Sequence, residues 1–155
     1  GILSQSWIAR RVPVMSKAVA NKEWVKLDSL FKKDLKYSIV VFLIGSLFIL
    51  TAHKILSYTV CPERLLGFWA MLAILIFTLF NYINISFAIQ IRSFKKEPFV
   101  LVSLIGALLI FLSTAISAKY FSVNELLSSM LVVQLVIIFP LSLRIWNASN
   151  QKYRV

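Results

Sequence analysis

Few side chains in this sequence are equipped for chemistry, and those that are sit among apolar neighbours. Thr78, Asn81 and Asn84 step by three along one such stretch, with Tyr82 a turn beyond Thr78, and Gln134 stands in another. Hydroxyls and carboxamides donate and accept hydrogen bonds without titrating near neutral pH. A stripe of them suits a hydroxyl-rich ligand better than it suits proton transfer. The same groups also join helices inside a bilayer, each bond contributing about 0.6–2 kcal/mol. The stripe therefore reads as the lining of a polar cavity or as glue between spans. Lys54, beside His53, either offers charge to a phosphate-bearing ligand or snorkels to the membrane surface.

Stronger chemistries are excluded by count. One cysteine, Cys61, and one histidine, His53, make neither an internal disulfide nor a zinc site. Asp and Glu total six, all outside the apolar stretches, which argues against a Ser-His-Asp triad and against a small proton-coupled exporter. No glycine-rich phosphate loop and no zinc-protease motif is present. No enzymatic activity and no cofactor are expected. The net charge of +11 invites a nucleic-acid reading, but 59% hydrophobic residues and only 15% charged ones do not describe a soluble basic domain. No nucleic-acid partner is expected.

The elements that must position these groups are membrane helices. Residues 37–53, 65–91, 98–118 and 126–143 carry no formal charge with His53 neutral. Each suits the about 17–25 residues that cross a bilayer as helix. Buried strands fail on length, and in lipid the backbone must satisfy its own hydrogen bonds, so each stretch is read as a helix. With their flanks the predicted spans are 37–58, 65–91, 98–118 and 124–146. The expected fold class is all-α, a polytopic integral membrane protein of four transmembrane helices. All the basic residues except Lys54, Arg64 and Lys119 fall on one side when the spans alternate. By the positive-inside rule both ends, the loop 92–97 and the tail 147–155 are cytoplasmic, and the loops 61–64 and 119–125 face outward.

Residues 21–36 form a predicted amphipathic helix. Trp24, Leu27, Phe31 and Leu35 share one face, and Lys22, Lys26, Lys32, Lys33 and Lys36 lie opposite. Such a helix suits the inner interface, and no Pro or Gly interrupts its run into the first span before Gly45. Residues 1–20, with Pro13 and a turn at Ala20-Asn21-Lys22, read as the end of a truncated preceding membrane helix and its cytoplasmic junction. The chain is thus expected to be a fragment of a longer one. Ser103, Ala107, Thr114 and Ala118 mark an expected packing seam, Pro140 an expected kink, and the tryptophans an expected interfacial belt.

Residues 12–35 resemble the cytoplasmic junction of polysaccharide flippases of the multidrug/oligosaccharidyl-lipid/polysaccharide exporter superfamily. The resemblance rests on Pro13 and Ser16 at a helix end, the turn at Asn21 and Lys22, and the amphipathic run into the next span. It implies the last four of twelve helices in a two-lobe transporter, preceded by the tail of the eighth. It further implies alternating-access translocation of an undecaprenyl-pyrophosphate-linked oligosaccharide, such as an O-antigen repeat, across the bacterial inner membrane. The implied partners are membrane lipid, the lipid-linked oligosaccharide, the remaining N-terminal helices and a glycan polymerase. The family's charged cavity residues lie in segments absent here, and none is carried over. A reading of a different class is a small four-helix accessory or scaffold protein of envelope-glycan synthesis that acts by helix packing.

Overall fold

The computed structural model describes residues 10–59, 66–120 and 122–153. Among these the regular elements are all helices: α1 (Val12–Ala20), α2 (Trp24–Thr59), α3 (Phe68–Arg92), α4 (Phe99–Tyr120) and α5 (Val123–Tyr153). Helices α2 to α5 are each long and apolar enough to cross a membrane. The chain is an all-α polytopic membrane protein. Residues 1–9 of the expected preceding helix, and Cys61 with its loop, lie outside the described residues.

Local chemistry sets the boundaries. Pro13 occupies the first turn of α1, where a missing N–H is harmless. Helix α1 ends in a Schellman motif: Glu23 N–H donates to Ala18 O at 2.9 Å and Lys22 N–H to Val19 O at 3.0 Å. The motif puts Lys22 at φ 56°, a left-handed conformation that side chains resist. Lys22→Gly is therefore expected to stabilise the protein by about 0.5–1 kcal/mol, net of glycine's extra unfolded-state entropy, read as a raised thermal midpoint in detergent. No change would mean that the strain is relieved elsewhere. Beside this turn, Lys26 Nζ lies 2.8 Å from Glu23 and, with Asn21 Nδ2 at 3.4 Å, holds the Glu23 carboxyl below the usual carboxylate range. At the start of α5, Glu125 Oε2 accepts from the Ser122 backbone N–H at 2.8 Å, which closes a capping box.

Helices α3, α4 and α5 pack into one unit, with α5 against both of the others. Helix α2 runs unbroken from its lysine-faced beginning through its span and meets this unit at its two ends. At the basic end Leu27 and Phe31 join Met15, Phe87, Ile91 and Phe99 in the buried core. At the far end His53 Nε2 donates to Leu66 O at 2.7 Å, so the buried His53 ties α2 to the segment that leads into α3. Between these ties α2 is nearly bare: 6% of its most apolar window is buried, and Ile44, Leu47 and Phe48 point outward.

One expectation about packing is revised. The α4–α5 seam is formed by Val102, Gly106, Ser113 and Ser117, whereas Ser103, Ala107 and Ala118 are exposed. Ser113 and Ser117 each donate to Ser129 Oγ at 3.0 Å, and Ser129 donates on to Leu126 O. Thr114 spends its hydroxyl on Ile110 O within its own helix. Small size alone misplaced the seam by one position, about 100° of helix. In α5 the residues before Pro140 form a π-turn, Gln134–Ile138, in which Phe139 N–H reaches Gln134 O. Proline lacks the N–H that would bond Val136 O, and its ring crowds that carbonyl in an α-turn. The wider π-turn relieves the crowding. Helix α5 then continues to Tyr153, seven residues past the end of the predicted span.

Candidate functional site

The sequence puts three of its five candidate residues on one cleft. It lies between α3, α4 and α5 and encloses about 260 Å³, with Asn81, Asn84 and Gln134 in its lining. On α3 the stripe Asn81–Asn84–Ala88 keeps to one face by its spacing of three and four. Asn84 is buried, and neither its Nδ2 nor its Oδ1 has a hydrogen-bond partner among the described residues. Gln134 opens the π-turn of α5 at 1% exposure, and its Nε2 also lacks a protein partner. Asn81 is exposed at the edge. Apolar walls come from Ile85, Phe99, Val102, Gly106, Ile110 and Ile138. Gly106 packs close here: a Cβ would stand 3.2 Å from Ile138 Cδ1, which would have to give by a few tenths of an ångström.

Thr78 and Lys54 do not join the cleft. Thr78 donates to Ile74 O at 2.7 Å and is satisfied within its own helix. Lys54 is exposed near the far end of α2, where its carbonyl accepts from Ser57. Tyr82 is buried but is not among the residues that line the cleft.

Chemically the cleft is neutral. A buried carboxamide without a partner costs about 1–3 kcal/mol by mutational measures, so these amides define a site that favours hydrogen-bonding groups from outside the chain. The volume of about 260 Å³ falls just below the about 300–1,000 Å³ of small-molecule pockets. Among the described residues no cluster of His, Cys, Asp or Glu is arranged to hold a metal ion.

Other buried polar residues were not anticipated. Trp146 Nε1 donates to Gln90 Oε1 at 2.7 Å, and the indole stacks on Phe87 with centroids 4.9 Å apart. Asp34 is buried on α2 with Arg11 Nε at 3.6 Å, and Ser38 is buried one turn on. By helical angle Asp34 and Ser38 fall on the face of Leu27 and Phe31, a signal present in the sequence. Gln90 carries no comparable signal.

Compared with protein families, curated proteins and solved structures, the chain matches none. The fold and the cleft by themselves define a class: a multi-pass helical membrane protein with a non-ionic polar cleft in its helix bundle.

Proposed function

We propose that this chain is part of a transporter that moves lipid-linked oligosaccharide, carried on undecaprenyl pyrophosphate, across the bacterial inner membrane by alternating access. The observation that carries this reading is the pair of buried amides on one cleft, Asn84 with both polar atoms and Gln134 with its Nε2 lacking a partner among the described residues. Sugar hydroxyls and acetamido groups both donate and accept, as carboxamides do, and they need such partners on leaving water. The resemblance of residues 12–35 supplies the substrate class and the two-lobe arrangement. The bare flank of α2 offers a surface on which further transporter helices, or a glycan polymerase, would pack.

The test is replacement of the native gene by Asn84→Leu, Gln134→Leu and the double variant, with surface glycan and membrane abundance measured together. Each lost hydrogen bond is worth about 0.5–1.5 kcal/mol, so each single variant should lower export roughly two- to tenfold at unchanged abundance. Normal export at normal abundance would remove the cleft from the transport path. A fall in export that follows abundance would favour the scaffold reading.

Orientation is tested separately. Lys33 and Asn124 are exposed at opposite ends of the helices. In intact spheroplasts a membrane-impermeant maleimide should label Asn124→Cys, and should label Lys33→Cys only after permeabilisation. The reverse pattern would place the termini outside.

A further inference from the structure

A second groove adjoins the cleft at the basic end of the molecule. It measures about 420 Å³ and shares Ala88, Phe99, Ser103 and Ala107 with the cleft. Its rim is Arg92, Lys96 and Glu97, and its wall includes Val100, Leu104 and Ala107 of α4. Those three recur at spacings of four and three, so they line one face over about 10 Å of helix rise. A polar, charged rim above an apolar wall fits an amphiphile.

The charges narrow the amphiphile. Arg92 Nε pairs with Glu97 Oε1 at 3.4 Å, and both side chains are more than half exposed. Exposed pairs contribute about 0–1 kcal/mol, so Glu97 yields Arg92 to a phosphate at little cost. Lys96 has no counter-charge on the rim, which leaves a net charge of one positive. Lys95, at φ 58°, holds the left-handed turn that brings Lys96 and Glu97 back over the groove; non-glycine strain of this sort persists where the surroundings enforce it. Depth agrees. Beside this loop Trp24 stacks on Phe94 at a centroid separation of 6.2 Å and Tyr153 tilts against Phe94 at 5.9 Å, and Trp and Tyr are enriched at headgroup level.

We infer that this groove holds an anionic phospholipid of the leaflet at the basic end, its phosphate on Arg92 and Lys96 and one acyl chain along Val100, Leu104 and Ala107. The site is independent of the transport reading. It makes α3 and α4 a lipid-filled wall, with the chain ending beside the polar cleft.

The experiment is native mass spectrometry of the full chain, delipidated in detergent and offered equimolar phosphatidylglycerol and phosphatidylcholine of matched chains. The wild type should retain phosphatidylglycerol preferentially. Arg92→Gln/Lys96→Gln should lose that preference by roughly fivefold for each cation removed, whereas Lys17→Gln/Lys26→Gln, with the same change in net charge, should keep it. Ala107→Phe should weaken retention with the rim intact, and the charge variants still decide if that variant fails to fold. Equal retention of both lipids would overturn the proposal, as would equal loss in the two double variants. Displacement by millimolar inorganic phosphate would reduce the groove to an anion site. Displacement by equimolar undecaprenyl phosphate would assign it to the carrier lipid instead. Either displacement would overturn the phospholipid assignment.

Discussion

Asn84→Leu should make this protein more stable while it impairs transport. Both polar atoms of Asn84 are buried without protein partners, and each such group costs about 1–3 kcal/mol when it is left unpaired. Leucine is close in size, places no polar atom in the cleft, and finds Ile85, Val102 and Ile110 among its neighbours there. The expected gain is about 1–3 kcal/mol, read from unfolding in mixed micelles. Asn84→Ala removes the same polar atoms but enlarges the void, so it should gain less. A loss of stability in Asn84→Leu would show that the amide has a partner from outside the chain, such as another helix, and would count against the cleft as a ligand site. Opposite signs for stability and export would be the mark of a site maintained at a stability cost.

Trp146→Ala should be the most damaging single change. The indole stacks on Phe87, tilts against Phe31 at 6.2 Å and donates to the fully buried Gln90. It therefore ties α5, α3 and the lysine-faced part of α2 together at one point. Removing a packed tryptophan costs about 3–5 kcal/mol. Trp146→Phe keeps a ring but strands Gln90 Oε1, a loss of about 1–3 kcal/mol. Adding Gln90→Leu to Trp146→Phe should recover part of that loss, because both ends of the broken bond are then apolar. If the double variant is no more stable than Trp146→Phe, the hydrogen bond is not what the indole contributes.

The spans were legible because formal charge is absent over four stretches, each too long for a membrane strand and long enough for a helix that satisfies its own backbone. The turn at Ala20-Asn21-Lys22 was legible from breaker residues. Beyond Leu143 the hydropathy signal falls silent, yet the helix continues: Ser149 and Asn150 are polar and buried, and burial of that kind depends on neighbours from other helices. The cleft was partly legible. Asn81, Asn84 and Gln134 stand out as polar among apolar residues, but a step of three precesses by about 60° each time. Two steps thus carry Thr78 about 120° from Asn84, where its hydroxyl folds back on Ile74. Gln90 and Trp146 are 56 residues apart, and no local period encodes such a pairing. The lipid groove was hidden for the same reason, since its wall depends on how α4 leans on α3.

The π-turn in α5 also sets the phase in which that helix presents its side chains. A π-turn carries one residue more than the α-turn it replaces, so the residues before it are offset by about 100° from where an unbroken α-helix would carry them. The Val123–Val133 half meets α4 through Ser129, and the Phe139–Tyr153 half meets α3 through Trp146. One helix thus serves two neighbours in two different registers, with Gln134 at the change of register.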